Sequence, residues 1–156
     1  MNFQISALHE TAFAHLFAMT DAELAQRQAC RQIVATKPGT PCRVSMVDAE
    51  IGETVILLNH AHQPENSPYR ATHAIFVREN ARQATIAMNE VPEVIRSRLI
   101  SVRLFNRRHM MVDAEVVSGD TVSAVILAAF ENSEVDYIHL HNAKPGCFAA
   151  TVARAR

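Results

Sequence analysis

The sequence predicts a single α+β domain, in which one mixed or mainly antiparallel sheet carries helices packed on one of its faces. Short apolar runs bounded by turn residues dominate the middle of the chain, and such runs are typical of strands. One clear helical repeat lies between residues 117 and 135. The 156 residues contain no internal repeat, low-complexity segment or linker, and this length fits one domain over residues 1–156.

The N-terminal third supplies two strands and a helix. Residues 3–8 alternate weakly and predict an edge strand. Thr20 and Glu23 have the spacing of a capping box, which predicts a helix over residues 21–28. Residues 32–35 predict a short strand, because proline and glycine follow directly.

The central strands are more strongly marked. Residues 54–58 form a continuous β-branched and aliphatic run, which indicates a strand buried on both faces. Residues 74–77 predict the next strand. Residues 99–105 and 110–117 predict a hairpin with its turn at residues 106–109.

Helices and two final strands complete the chain. Pro92 favours a short helix through residue 96, because proline suits a first helical turn. The segment after Gly119 carries apolar residues at a helical spacing over residues 122–130. Residues 135–147 then read as a strand, a sharp turn and the start of a last strand. The predicted core residues are Phe13, Leu16, Phe17, Ile56, Leu58, Phe76, Ile100, Val102, Leu104, Ile126, Phe130, Ile138 and Leu140.

Composition narrows the class of protein. A hydrophobic content of 49% lets a chain of this length form a core without disulfides or a structural metal. A net charge of −1 argues against nonspecific nucleic-acid binding, and no apolar run is long enough to span a membrane. Three unpatterned cysteines and the lack of a signal peptide favour a reducing cytoplasm.

Histidines at strand ends are the main candidates for chemistry. His139 and His141 alternate with apolar residues, so they share one strand face with Tyr137 and suit acid–base catalysis. His60 and His62 share a face in the same way. If the two strand ends are neighbours, these imidazoles converge, and neutral imidazole is a common ligand of transition metals.

Two observations weaken a metal site. No acidic residue stands at the cupin-like spacing after either H-x-H pair, and the pairs lie far apart in the chain. A solvated, histidine-rich sheet face remains the alternative. The cofactor is therefore unknown, with a transition metal as one candidate.

Cysteines and arginines add further candidates. Cys147 follows a proline–glycine turn near histidines, as a catalytic thiolate would require, and Cys42 stands beside Arg43. Both thiols are equally consistent with small, packed core residues. Five arginines between residues 96 and 108 make a basic run, which usually forms a solvated face, and an anion site that uses Arg98 or Arg70 is the alternative.

Several motifs are absent. The sequence has no P-loop, no dinucleotide-binding glycine motif, no nucleophile elbow and no H-E-x-x-H. These absences remove support for NTPase, Rossmann oxidoreductase and α/β-hydrolase functions.

The ordered motifs Pro41-Cys42-Arg43, Ser67-Pro68-Tyr69-Arg70 and Ile75-Phe76-Val77 resemble a bacterial family of uncharacterised proteins, domain-of-unknown-function family 1203. The closing stretch from Tyr137 to Ala143, with Pro145-Gly146-Cys147, is the most similar part. The resemblance covers essentially the whole chain.

The resemblance implies no particular activity, but it does imply roles beyond packing for the polar residues within these motifs. Those residues are Cys42, Arg43, His62, Tyr69, Arg70, Arg98, His139, His141, Asn142 and Cys147. His60 is less typical of the family than His62. This difference favours a trio of His62, His139 and His141 over a site of four histidines.

The leading hypothesis is a small protein with a polar pocket at its strand ends that binds a small, anionic ligand. Histidines 139 and 141 and Cys147 are its candidate catalytic residues, and the other motif residues are candidate ligand contacts. Two alternatives stay open. One is a noncatalytic interaction module that forms a homodimer, and the other is a metal-binding protein or metal-dependent enzyme that uses the histidine trio.

Overall fold

A computed structural model describes every residue, Met1–Arg156, and has the α+β class that the sequence predicts. The strands are β1 (Asn2–Ser6), β2 (Ala29–Ile33), β3 (Thr54–Gln63), β4 (Ala71–Arg78), β5 (Leu99–Phe105), β6 (Met111–Ser118), β7 (Tyr137–Asn142) and β8 (Phe148–Ala155). The α-helices are α1 (Asp21–Ala25), α2 (Glu93–Arg96) and α3 (Val122–Ala129). Short 3-10 helices span Glu10–Ala12, Ala14–Ala18 and Gly119–Thr121. No helix has the length and apolar character needed to cross a membrane.

The strands form two antiparallel sheets, whereas the sequence predicts one. One sheet has five strands in the order β1-β8-β7-β5-β6, and the other has three in the order β2-β3-β4. The chain also groups into two compact units. The first contains Met1–Ser6, Ala61–Thr72 and Ile86–Arg156, and the second contains Ala7–His60 and His73–Thr85.

The first unit is built on the five-stranded sheet. β1 lies at its edge, as predicted, and pairs with β8. β7 lies at the centre, between β5 and β8. The hairpin of β5 and β6 matches its prediction closely, because the intervening residues supply turn conformations, including a positive φ at His109.

The apolar face of this sheet forms the core of the first unit. Alternate residues of β5 and β7, including Ile100, Val102, Ile138 and Leu140, are fully buried. α3 packs against β1 and β5. Its predicted helical repeat is confirmed, since residues 122, 126 and 130 are all fully buried.

The second unit confirms the predicted capping box of α1. Thr20 Oγ1 accepts a hydrogen bond from the Glu23 amide at 3.2 Å, and Glu23 Oε2 accepts one from the Thr20 amide at 2.7 Å. The helix ends at Ala25, earlier than predicted, because the chain then turns and Gln28 takes a positive φ of 51°.

The predicted core is confirmed except at two phenylalanines. Phe17 and Phe76 are only partly buried, although each packs against a core cluster. Around Phe76, Ile75 and Val77 occupy the buried positions instead. The strand therefore turns its other face to the core, and a four-residue apolar run carries no alternation that would reveal which face that is.

Candidate metal centre

Three histidines of the first unit lie close together. His139 and His141 occupy alternate positions of β7, so both project from the face opposite Ile138 and Leu140. His62 is near the end of β3, in the segment Ala61–Thr72 of the same unit. One ligand atom from each imidazole lies within 4.8 Å of the other two.

The rings meet edge to face. The centroids of His62 and His141 are 4.8 Å apart with an interplanar angle of 84°, and those of His62 and His139 are 6.2 Å apart at 75°. A tetrahedral zinc ion with bonds of about 2.0–2.1 Å spaces its ligand nitrogens by about 3.4 Å. The ligand nitrogens therefore need to approach one another by up to about 1.4 Å, which side-chain rotation can supply.

His141 is held in the tautomer that a metal ligand requires. Its Nδ1 lies 2.9 Å from the carbonyl oxygen of Gly146. A carbonyl only accepts hydrogen bonds, so Nδ1 carries the proton and Nε2 presents a lone pair. Nε2 is buried and has no hydrogen-bond partner. Metal-binding histidines commonly donate their second nitrogen to a carbonyl in this way.

His139 also presents a buried nitrogen without a partner, in this case Nδ1. Burial, together with the charges of His62 and Arg103, lowers the pKa of His139 to about 4. Burial likewise lowers the pKa of His141 to about 3, opposed by its hydrogen bond to Gly146 and assisted by the nearby charges of Arg103, His62 and His139. Both imidazoles are therefore neutral at pH 7 and available as ligands.

Aromatic rings enclose the histidines. Phe148 stacks on His62 with ring centroids 5.6 Å apart and an interplanar angle of 7°, and it meets His139 edge to face at 5.3 Å. Phe105 lies 5.1 Å from His139. Phe148 is in register with His141 across β7 and β8, while Phe105 pairs with Tyr137 across β5 and β7. These rings leave His139 and His141 almost fully buried, whereas His62 stays partly exposed.

A polar network extends the same strand face toward solvent. The Tyr137 hydroxyl accepts a hydrogen bond from Gln63 Nε2 at 2.8 Å and lies 2.9 Å from His109 Nδ1. His109 Nε2 is 3.7 Å from a carboxylate oxygen of Glu65. Burial raises the pKa of Tyr137, so its phenol stays protonated at neutral pH.

Arg103 and Ser101 complete the face on the neighbouring strand. Arg103 of β5 is in register with His139, and Ser101 is in register with His141. The Arg103 Nε donates to Ser101 Oγ at 3.2 Å. Burial lowers the pKa of Arg103, although the guanidinium still carries its charge at every physiological pH.

Asn142 lies on the other face of β7, and Cys147 lies beside it in the connection to β8, so neither joins the histidines. Asn142 is in register with Ile100, whose side chain is fully buried in the core. The Asn142 amide group lies 3.6 Å from Cys147 Sγ, and the backbone amide of Asn142 donates to the Cys147 carbonyl at 2.8 Å. Gly146 takes a positive φ of 81° in the turn between them. This pair fixes the turn from β7 to β8.

Three predicted ligand contacts lie elsewhere in the first unit. Arg98 donates from Nη1 to the Val94 carbonyl at 2.7 Å, at the carboxyl end of α2. Tyr69 and Arg70 lie in the loop after β3 and are exposed. Tyr69 touches the site only indirectly, because its ring meets Phe105 edge to face at 6.0 Å.

Cys42, Arg43 and His60 lie in the second unit. Cys42 is buried in an apolar cluster, and its sulfur accepts from the backbone amides of Ser45 and Arg78. Arg43 is buried and donates to the carbonyl oxygen of Pro41. His60 meets Phe13 edge to face at 5.9 Å. All three have local partners that account for their burial.

The histidine face of the five-stranded sheet also includes Gln63, Arg103 and His109, none of which is predicted as a site residue from the sequence. Arg103 did carry a signal, since it alternates with the core residues Val102 and Leu104 and must therefore point away from the core. Its position opposite His139 depends on the register of β5 and β7, which local patterns do not reveal.

Fold and site together define an α+β protein with a histidine-rich face on an antiparallel sheet. Comparison with protein families then identifies the chain as a member of the protein-of-unknown-function family DUF1203, whose model matches residues 39–154. The resemblance seen in the sequence is thereby confirmed. A search of curated proteins finds no match, and a search of solved structures finds none either.

Proposed function

We propose that this protein binds a divalent transition-metal ion, with zinc the best-suited candidate, through His62, His139 and His141. The observation that carries the proposal is the convergence of three imidazole ligand atoms within 4.8 Å on one sheet face. Neutral imidazole suits zinc, copper, nickel and iron, and it suits magnesium and calcium poorly.

The state of the buried nitrogens supports this function. His139 Nδ1 and His141 Nε2 have no hydrogen-bond partner, although both are shielded from water. A buried, unpartnered polar atom costs about 1–3 kcal/mol. A metal ion would satisfy both lone pairs, and the bond from His141 Nδ1 to Gly146 already orients one ligand.

The number of ligands favours an exchangeable site. Structural zinc sites are closed by four protein ligands, whereas catalytic zinc sites have three and leave a position for water or substrate. Here three histidines converge, and their neighbours along β7 and across β5, which are Tyr137, Ser101 and Arg103, carry a phenol, a hydroxyl and a guanidinium. A bound ion would therefore keep at least one open position.

Elemental analysis of untagged protein tests the proposal. We expect close to one equivalent of metal in the wild-type protein and less than about a tenth of that in His139→Ala and His141→Ala, because two imidazoles hold a metal poorly. His73→Ala is the matched control, since His73 is a partly exposed histidine of the second unit, outside the cluster. Wild-type protein that stays metal-free after incubation with zinc and dialysis would refute the proposal.

A further inference from the structure

Arg103 is placed to act together with the three histidines. It lies directly across the β5–β7 ladder from His139, while Ser101 lies across from His141. Residues in register on one sheet face have their Cβ atoms about 5 Å apart. The charge of Arg103 acts on both histidines, because it contributes to lowering the pKa of each.

Most N–H donors of the Arg103 guanidinium remain available for a ligand. Its Nε is engaged by Ser101 Oγ, which leaves the two terminal nitrogens and their four N–H groups. Other arginines of the chain pair with carboxylates, such as Arg78 with Glu53 and Arg107 with Asp136. Arg103 makes no such ion pair, although it is partly buried, and a desolvated cation usually has an anionic partner.

The charges at the site are consequently unbalanced. Three neutral imidazoles around a divalent ion carry two positive charges, and Arg103 adds a third. The cluster of possible ligands contains the three histidines and no carboxylate. The site as a whole therefore favours an anion over a neutral molecule.

We infer that the open position of the metal site takes an oxyanion, a carboxylate or phosphate group of a small molecule, which Arg103 holds through its terminal nitrogens. One oxygen of the group binds the metal, and another accepts from the planar guanidinium fork, which fits such groups better than an ammonium does. This inference rests on the proposed function, since the metal supplies half of the binding site.

Anion titrations of cobalt-loaded protein test the inference. Cobalt(II) replaces zinc in such sites, and its visible absorption changes when a fourth ligand binds. The probes are acetate and inorganic phosphate, with acetamide as the neutral control. We expect the spectrum to change with at least one anion at millimolar concentration and to remain unchanged with acetamide. Tighter binding of acetate identifies a carboxylate ligand, and tighter binding of phosphate identifies a phosphoryl ligand.

Variants of Arg103 identify its part in binding. Arg103→Met keeps the length of the side chain and should retain one equivalent of cobalt, but it should bind the anion at least tenfold more weakly. Arg103→Lys keeps the charge without the fork and should lie between that variant and the wild type. Arg107→Met, at an exposed arginine of the β5–β6 turn, is the matched control and should bind like the wild type.

Three results would overturn the inference. An unchanged spectrum with both anions at about 50 mM would show that the site takes no oxyanion, given that weak complexes already form at millimolar concentrations. Wild-type anion affinity in both Arg103 variants would show that Arg103 is not a ligand. Failure of the wild-type protein to bind cobalt at all would refute the proposed function as well, and metal content measured on the same samples distinguishes that failure from the other two.

Discussion

His139 and His141 are unusual at the level of single residues, because each is more than nine-tenths buried and has one nitrogen without a partner. Folding normally pairs buried polar atoms, and unpaired ones concentrate where function requires them. Tyr137, on the same strand face, is fully engaged by Gln63 and His109. The Asn142 side-chain oxygen, on the other face of β7, is also buried without a partner, so the lack of partners is concentrated at the imidazoles that would bind a metal.

Replacing His139 by leucine should remove metal binding without a loss of stability in the metal-free protein. Leucine fills a similar volume and leaves no unpaired nitrogen, so the free energy of unfolding should stay equal or rise by about 1–2 kcal/mol. Urea unfolding in the presence of a chelator measures this free energy. Leu140→Ala, one residue away on the core face, should lose about 2–5 kcal/mol. A similar loss in His139→Leu would instead assign His139 a structural role.

The stability of the metal-free protein should depend on pH through the same residues. Both histidines have a folded-state pKa well below the unfolded value near 6.5, at about 4 and about 3. Between the unfolded pKa and each folded pKa, the unfolded chain binds a proton that the folded chain does not. The free energy of unfolding is therefore highest above pH 6.5 and falls as the pH is lowered toward the folded values. At about pH 5.5 the loss should be on the order of 2–3 kcal/mol.

Urea unfolding of metal-free protein at several pH values measures this dependence. The double variant His139→Leu, His141→Leu should lose most of the slope between about pH 6.5 and 5, because both groups that remain neutral on folding are gone. An identical slope in the wild type and the double variant would assign the pH dependence to other groups.

Among the secondary-structure elements, the junction of α2 with the 3-10 helix before α3 depends on a glycine. A Cβ atom at Gly119 would collide with the backbone carbonyl oxygens of Ile95 and Arg96, neither of which can rotate away. The Gly119 amide also donates to the Arg98 carbonyl at 2.8 Å. This glycine permits the close approach of two backbone segments within the first unit.

Gly119→Ala should therefore destabilise the protein by about 2–4 kcal/mol, since relieving the overlap must shift one of the two segments. Thermal or urea unfolding measures the change. Asp120→Ala, at the exposed neighbouring position, should change stability by no more than about 0.5 kcal/mol. Equal stability of Gly119→Ala and the wild type would show that the segments separate without cost.

Individual elements are predictable from the sequence where a local pattern determines them. Alternation in β7 assigns His139 and His141 to the face opposite Leu140, and the capping box locates the start of α1. The same alternation separates Asn142 from the two histidines. Proximity in sequence favours a shared site for Asn142, Cys147 and the histidines, but the structure places Asn142 and Cys147 away from the histidine face.

Features of the whole molecule depend on contacts between distant residues. Hydrophobic patterns identify strands but not their partners, so the sequence does not reveal that eight strands form two sheets. The placement of Arg103 opposite His139 follows from strand register, and the approach of His62 joins residues far apart in the chain. Strand alternation predicts both His60 and His62 as candidates, and the family resemblance favours His62 over His60.

Composition also indicates whether the proposed metal would serve folding or function. Buried apolar residues form a core in each unit, so the fold has a source of stability that requires no metal. A fold that is stable without a metal is expected when the metal serves function, whereas small zinc-folded domains unfold without their ion.

X-ray absorption spectroscopy of the zinc-loaded protein tests the central claim most directly. We predict three imidazole nitrogens at about 2.0–2.1 Å, with a light oxygen ligand in the remaining position and no sulfur. A sulfur ligand at about 2.3 Å would contradict this account, because it would require a cysteine in the site. Zinc surrounded only by water and carboxylate oxygens would contradict it as well, since the ion would then be bound away from His62, His139 and His141.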